Sequence, residues 1–275
     1  MLISIITPVY NNVTYIAKAI ENYLYQNCAD SELIIVDGGS TDGTVDVIAA
    51  YAKIHASITW ISEQDEGQSD AMNKGIKLAK GKYISFLNVD DYYSPGCLEE
   101  VIGILSNNPG IHYLVGDCNV WDQYGGLIYV NRPAKVQKWH VFSGHHFSVN
   151  PTAYFYRKSL HSRVGYYSLT NHYTMDLEMI FQIRKVTKFT YYPKNWGNFR
   201  MLPNAKTFED QSSNQLELRK NELVHNNLKT VSFPIQYMVY FYWIKRKYLP
   251  LIQTVSKKVV DKIKFEFNNF LISKK

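Results

Sequence analysis

The chain has 275 residues, of which 46% are hydrophobic and 20% charged, a composition typical of a globular protein with a large core. Its three cysteines cannot all pair and show no CxxC spacing, which argues against a disulfide framework and a metal cluster. No apolar run reaches the roughly 18 residues of a membrane-spanning helix, and the apolar N-terminus lacks a charged region. We therefore expect neither an integral membrane protein nor a signal peptide.

The formal net charge of +6 is concentrated at the C-terminus. Residues 245–275 contain nine Lys or Arg against two acids, a local charge of +7, so residues 1–244 carry −1. A nucleic-acid-binding protein needs a basic face on its body. We therefore expect no nucleic-acid partner and treat the basic tail as a separate feature.

The first hundred residues repeat the pattern of strand, turn and helix. Apolar runs predict strands at residues 2–7, 32–37, 57–62 and 82–87, and the intervening segments predict helices at 13–26, 44–55 and 69–80. This alternation predicts an α/β fold with a doubly wound, mostly parallel sheet flanked by helices.

Acid and amide side chains follow three of these strands, namely Asp37, then Asp65 with Asp70, then Asn88 with Asp90 and Asp91. Parallel strands end at one edge of their sheet, where ligands of open sheets bind, so these side chains should meet. A single such cluster is equally typical of a helix cap. Three of them suit an anion that arrives with Mg²⁺ or Mn²⁺, such as a nucleotide diphosphate. The GxGxxG and GxxxxGK[ST] patterns of dinucleotide and P-loop sites do not occur.

Four segments carry a family resemblance, in the order ITPVYN (6–11), VDGGSTDGT (36–44), SEQDEGQSDAMNKG (62–75) and FLNVDD (86–91). Together they resemble the family 2 glycosyltransferases of the GT-A fold, and the resemblance covers about residues 1–210. It implies a Rossmann-like central sheet and transfer of a sugar from a nucleotide diphosphate sugar, a UDP-sugar foremost. It also implies inversion at the anomeric carbon and usually Mn²⁺ or Mg²⁺.

The resemblance assigns roles to the donor side of the site. Pro8 and Tyr10 would line the base pocket, Asp37 would hold the base or ribose, and Asp70 would belong to a loop over the nucleotide.

The segment Asn88-Val89-Asp90 matches the DxD motif of the family, which makes Asp90 the expected metal ligand. Asn88 departs from the strict form, although its amide can still hydrogen-bond a ribose hydroxyl. Asp91 is the second candidate metal ligand, although its role is not separable here from helix capping.

The acceptor side begins after residue 115. Residues 116–122 and 127–130 predict a short hairpin around Gly125-Gly126. His145 and His146 invite a metal interpretation, but adjacent residues on an extended strand point to opposite faces, so an acceptor-facing loop is favoured.

A helix is expected to begin near residue 173, with Asp176 and Glu178 in its first turn. Acids at a helix N-terminus are favoured by the helix dipole whatever the function. An acceptor hydroxyl, however, needs a carboxylate to take its proton as the C–O bond forms. The resemblance assigns this general base to Asp176 and leaves Glu178 as the reserve candidate.

Residues 196–207 resemble the family's closing loop, in which Arg200 and Lys206 would offer cations to the diphosphate. For Lys206 a solvated surface charge is an equal alternative. Leu202 and Ala205 stand where the family pattern has histidine and serine, which argues against a histidine ligand here.

The tail, residues 233–275, contains an aromatic stretch that Lys245-Arg246-Lys247 ends, and then a basic segment with apolar residues at helical spacing. Basic amphipathic helices lie on anionic membrane surfaces. Docking on the body or on a second subunit is the alternative. We divide the chain into a nucleotide-sugar-binding half (1–115), an acceptor-binding and catalytic half (116–232) and this helical tail.

We expect an inverting glycosyltransferase of surface polysaccharide biosynthesis, such as capsule or O-antigen, with a glycan or lipid-linked glycan acceptor. Its expected location is cytoplasmic, peripheral on the inner face of the membrane. A sugar-nucleotide nucleotidyltransferase would need a basic, glycine-rich loop, which residues 8–12 lack. A degenerate glycan-binding or scaffold subunit is opposed by Asp90 and Asp176 but kept open by Asn88 and Leu202.

Overall fold

The computed structural model describes residues 1–133, 138–144, 150–203, 215–252 and 265–266. Its first half alternates strands and helices as expected. The strands are β1 (Ile3–Val9), β2 (Ser31–Asp37), β3 (Ile58–Ser62), β4 (Tyr83–Phe86) and β5 (Tyr92–Tyr93). The helices are α1 (Val13–Tyr25), α2 (Thr44–Ile54), α3 (Gln68–Leu78) and α4 (Cys97–Asn107).

The second half adds four strands and five helices among the described residues. The strands are β6 (Tyr113–Trp121), β7 (Leu127–Asn131), β8 (Tyr154–Arg157) and β9 (Thr190–Arg200). The helices are α5 (Lys138–Phe142), α6 (His161–Val164), α7 (Met175–Val186), α8 (Gln215–Leu228) and α9 (Phe233–Ile252).

These strands form one sheet in the order β3-β2-β1-β4-β8-β6-β9-β5, with β7 paired to β6. The first four strands in this order run parallel, whereas β8 is antiparallel to both β4 and β6. The predicted α/β class is confirmed, and so is the hairpin of β6 with β7. The carboxyl ends of β1, β2, β3 and β4 therefore share one edge.

Strand β1 runs two residues beyond its predicted end and includes Pro8. Leu87 donates its backbone N–H to the carbonyl of Ile6, whereas Gly38 donates to Val9. Pro8 therefore faces β4, as Ile6 does, and β4 has already ended at Phe86. The missing N–H of proline costs no ladder hydrogen bond at this position.

Apolar layers cover both faces of the sheet. Ile5 and Leu33 point to the layer under α1 and α2, while Ile6 and Ile34 point to the layer under α3 and α7. Burial on both faces explains why the parallel strands read as continuous apolar runs. Gly75 lets α3 approach closely, since a Cβ there would lie 2.3 Å from Cγ2 of Ile6.

One expectation about the second half was wrong. The family-like loop expected from residue 196 begins as strand, because 196–200 pair with β6 and β5 as part of β9. Pro193 obscures this strand in the sequence, and the pairing register skips past it.

Helix α9 contains the aromatic stretch of the tail and continues through Lys245, Arg246 and Lys247 to Ile252. Within the described residues, no helix combines the length and apolar character needed to cross a membrane. The predicted amphipathic segment beyond 252 lies outside the described residues, apart from Phe265 and Glu266.

Candidate active site

The acidic turn after β4 surrounds Asp91, which is only 2% exposed. Its carboxylate accepts hydrogen bonds from the side-chain amides of Asn88 (3.0 Å) and Asn150 (2.8 Å) and from the backbone N–H of Arg200 (3.2 Å). Burial raises the pKa of Asp91, and the charge of Asp90 raises it further. Three N–H donors stabilise the ionised form, so Asp91 serves as an anchor for three segments of the chain.

Asp90 lies beside this anchor but remains partly accessible. Burial raises the pKa of Asp90, while the nearby charge of Arg200 lowers it. The Arg200 guanidinium stacks on the ring of Tyr92, 5.0 Å from its centroid. The turn thus presents one reachable carboxylate and one oriented cation.

Asp37, at the end of β2, is fully buried. It accepts hydrogen bonds from the backbone N–H groups of Gly39 (3.0 Å) and Ser40 (2.9 Å) and from the hydroxyls of Ser40 and Ser62. These bonds order the loop between β2 and α2. The predicted contact of Asp37 with a base or ribose stays a prediction.

The remaining donor-side residues lie around the same edge. Pro8 is buried, and the ring of Tyr10 is 63% exposed. Asp65 packs against the backbone of Gly38, where an added Cβ would lie 2.6 Å from its Oδ2. Asp70 forms an ion pair with Lys74 (3.2 Å). The structure therefore gathers these side chains as expected, although their nucleotide contacts stay predictions.

Asp176 lies in the first turn of α7, where its charge interacts with four buried tyrosines, Tyr113, Tyr154, Tyr156 and Tyr167. Tyr154 donates its hydroxyl to Asp176 Oδ1 at 3.2 Å. Burial raises the pKa of Asp176 to about 6, and the Tyr154 hydrogen bond opposes that rise. A carboxylate with this pKa is ionised at neutral pH and is a stronger proton acceptor than an ordinary aspartate.

Glu178 is committed to the loop before α7. It accepts a hydrogen bond from the side-chain amide of Asn171 (2.7 Å), whose oxygen accepts the backbone N–H of Thr174 (3.0 Å). This arrangement ties the loop before α7 to the first turns of the helix and favours a structural role for Glu178.

The segment 150–154 connects the acidic turn to Asp176. Asn150 donates to Asp91, and Tyr154, four residues later, donates to Asp176. Four residues span at most about 14 Å, and a 3₁₀ turn at Pro151–Ala153 shortens that path. The two carboxylates are therefore hydrogen-bonded to opposite ends of one short segment.

Helix α3 provides a second connection. Gln68 donates to the Asn88 side chain (3.3 Å), and Ser69 donates to the sulfur of Met175 (2.9 Å), the residue before Asp176. Asn73 exchanges two hydrogen bonds of 2.9 Å with the backbone of Tyr167. The start of α3 thus lies between the acidic turn and the start of α7.

The sequence pattern assigns no role to Asn150 or Tyr154. An Asn before proline is an ordinary turn signal, so only the three-dimensional pairing reveals its bond to Asp91. Lys206 and the pair His145-His146 lie outside the described residues.

A family model described as "Glycosyl transferase family 2" matches residues 4–165. The chain belongs to glycosyl transferase family 2.

Two relatives illustrate its range. A Rickettsia prowazekii (strain Madrid E) protein named as an uncharacterized glycosyltransferase is 29% identical over 197 residues, which cover 69% of this chain and 61% of that protein. An Escherichia coli chondroitin synthase is 36% identical over 98 residues, covering 36% of this chain and 14% of the synthase. The chain thus spans less than two thirds of the length of either relative.

Solved structures share the fold at low identity. S. aureus TarS 1–349 in complex with UDP superposes with a TM-score of 0.66 and 14% identity, covering 94% of this chain and 76% of that one. The mannosyltransferase PcManGT from Pyrobaculum calidifontis, in complex with GDP-Man and Mn²⁺, superposes with a TM-score of 0.57 and 14% identity. This match covers 95% of this chain and 83% of that one. The expected GT-A fold is confirmed.

The carboxylates of the acidic turn suit a metal ion that arrives already bound to a diphosphate. Within the described part of the chain, no group of three or more His, Cys, Asp or Glu side chains could hold a metal ion. A cation bound to a diphosphate needs only one or two protein carboxylates. Asp90 fits this requirement because it is partly accessible. The burial and hydrogen bonds of Asp91 favour an anchoring role over the expected metal coordination.

Proposed function

We propose that this chain is an inverting glycosyltransferase that moves a sugar from a nucleoside diphosphate sugar to a hydroxyl of a glycan or lipid-linked glycan. The observation that carries the proposal is the pair of carboxylate sites joined by segment 150–154, one suited to a donor and one to a proton. The division into a donor half (1–115) and an acceptor half (116–232) belongs to the same proposal.

Asp176 is the proposed general base. Its carboxylate takes the proton of the acceptor hydroxyl while that oxygen forms a bond to the anomeric carbon. The bond from the anomeric carbon to the diphosphate oxygen breaks, and the nucleoside diphosphate leaves with the electron pair. Attack opposite the leaving group inverts the anomeric centre, and the raised pKa of Asp176 suits it to receive this proton.

The donor side holds the diphosphate between Asp90 and Arg200. A divalent cation bound at Asp90 would neutralise charge on the leaving diphosphate. Arg200, oriented by its stacking on Tyr92, offers a second positive charge. UDP bound to TarS and GDP-Man with Mn²⁺ bound to PcManGT support a nucleotide donor, with a UDP-sugar as the first candidate.

The cellular role follows from the relatives and the charge pattern. The similarity to chondroitin synthase supports polysaccharide biosynthesis. The local charge of +7 in residues 245–275 supports action at an anionic membrane surface. Peripheral attachment to the inner face of the cell membrane follows from this proposal.

A thermal-shift screen of UDP, GDP, dTDP and CMP, each with Mn²⁺, Mg²⁺ or EDTA, tests the donor site. A ligand at a hundred times its dissociation constant stabilises the folded state by about 2.7 kcal/mol. We expect one nucleotide, UDP first, to raise the Tm only with metal, and Asp90→Ala to remove that rise. Asp46→Ala, which removes an acid from the first turn of α2 outside the site, is the control.

No rise with any nucleotide would contradict the proposed donor site and favour a glycan-binding subunit that retained the fold. An equal rise with EDTA would instead contradict the metal assignment to Asp90.

A further inference from the structure

An aromatic groove lies between α5 and α9, outside the proposed catalytic centre. Its volume is about 590 Å³. Its apolar and aromatic walls are formed by Trp139, His140, Tyr237, Met238, Phe241 and Tyr242. A groove of this composition is suited to a hydrocarbon chain.

The anchoring of α9 explains why these side chains face outward. Val239 and Ile244 are buried, and Trp243 donates its indole N–H to the carbonyl of Ser143 at 3.2 Å. The face of α9 that carries Met238 and Phe241 is left 42% and 53% exposed at those residues. Exposed apolar patches of this kind mark binding surfaces.

Two cations complete the groove. Lys245 and Arg246 line it one turn beyond Phe241, and both are exposed. The described lining contains no carboxylate. A hydrocarbon slot with two cations at one end is complementary to a lipid chain with an anionic head.

The groove is coupled to the proposed base through α5. The rings of Phe142 on α5 and Phe181 on α7 stack with centroids 5.2 Å apart and an interplanar angle of 10°. Asp176 lies five residues before Phe181, about 7.5 Å along the helix axis. A lipid held in the groove therefore contacts α5, which packs against α7, the helix that carries Asp176.

We propose that this groove binds the lipid chain of a diphosphate-linked lipid acceptor, with Lys245 and Arg246 on the diphosphate. This inference rests on the proposed transferase function and narrows its acceptor to one class. The glycan attached to the diphosphate would extend from the basic end of the groove.

Binding of farnesyl diphosphate to the full-length chain, followed by tryptophan fluorescence and calorimetry in saturating UDP and Mn²⁺, tests the proposal. We expect Phe241→Asp, and in parallel Met238→Ser, to weaken binding at least tenfold. Phe233→Asp is the matched control, because Phe233 is 49% exposed on the same helix but does not line the groove. The Phe233→Asp variant should bind farnesyl diphosphate as the unmodified chain does. The Tm of every variant should stay near that of the unmodified chain.

The role of the cations needs a second comparison. Lys245→Ala combined with Arg246→Ala should weaken the binding of farnesyl diphosphate at least tenfold and leave the binding of farnesol unchanged. Inorganic diphosphate should not compete with the lipid at equal concentration. An equal loss of binding affinity for farnesyl diphosphate and for farnesol would overturn the assignment of Lys245 and Arg246 to the diphosphate.

Three other results would overturn the groove proposal. Lipid binding that occurs without UDP but is lost in saturating UDP would place the lipid in the donor site. Equal loss of phosphatidylglycerol vesicle binding in the Phe233 and Phe241 variants would indicate a bilayer contact. Light scattering that shows Phe241→Asp splitting a dimer, without lipid binding, would assign the groove to a second copy.

Failure of the transferase proposal is distinguishable, since it would appear as absent UDP stabilisation while lipid binding persists.

Discussion

At the residue scale, Asp176 combines a chemical role with a cost in stability. Asp176→Asn should leave nucleotide binding near normal and lower kcat by about 10²–10⁴, the range for a lost general base. Single-turnover transfer and nucleotide thermal shifts measure the two effects separately. Glu178→Gln is the control and should retain most activity, because Glu178 is bonded to Asn171. Full turnover in Asp176→Asn would exclude Asp176 as the base.

The same substitution should stabilise the fold at high pH. The pKa of Asp176 is about 6 when folded and about 3.9 in an unfolded chain. Ionisation therefore costs folding free energy, on the order of 2–3 kcal/mol, that grows as pH rises between these two values and then stays constant. We expect Asp176→Asn to raise the Tm at pH 8 and to have little effect near pH 4. A lower Tm at pH 8 would contradict the raised pKa.

Tyr154 should tune this base through its hydroxyl. Tyr154→Phe removes the donor to Asp176 Oδ1 and leaves the ring, so the pKa of Asp176 should rise. The acidic limb of the kcat/KM profile should move to higher pH, while the rate at pH 8.5 changes little. Tyr156→Phe is the matched control, because the Tyr156 hydroxyl pairs with His161 (3.1 Å). An unmoved limb in Tyr154→Phe would contradict the assigned contact.

At the element scale, segment 150–154 holds the acidic turn against β8 and α7. Asn150→Asp keeps the oxygen that accepts the Thr152 N–H (2.9 Å) but replaces the amide that donates to Asp91. Two buried carboxylates would then face each other, and they cannot both ionise readily. We expect a loss of about 1–3 kcal/mol in the free energy of unfolding.

Urea denaturation at two pH values measures this loss. The two facing carboxyl groups of Asn150→Asp would share one proton, and its pKa is raised in the folded state. The loss in the free energy of unfolding should therefore be larger at pH 8 than at pH 5. Asn107→Asp, on the exposed end of α4, should change stability by less than about 0.5 kcal/mol. Equal losses in the two variants would mean that the bond to Asp91 contributes little.

At the scale of the whole molecule, the uneven charge should determine membrane binding. Replacing Lys245, Arg246 and Lys247 with alanine should weaken sedimentation with phosphatidylglycerol vesicles, because each basic residue near an anionic surface contributes about 1 kcal/mol. Replacing the exposed body lysines Lys18, Lys53 and Lys188 removes the same charge and should have a smaller effect. Equal effects, or equal binding to neutral vesicles, would contradict a membrane role for the tail.

The sequence alone determined the parallel half of the sheet and the acids at its edge. Strands buried on both faces read as apolar runs, and turn residues follow them within a few positions, so local pattern is sufficient there. The strand at 190–200 could not be predicted in this way, because Pro193 breaks its pattern and β6 supplies its partners from more than 70 residues away.

Only the tertiary structure separated Asp90 from its neighbour Asp91. The donors that bury Asp91 come from Asn150 and from the backbone of Arg200, far along the chain. Three tyrosines that interact with Asp176, namely Tyr113, Tyr154 and Tyr156, likewise come from the distant elements β6 and β8. A pKa depends on what surrounds a group in space, and sequence spacing does not record those neighbours.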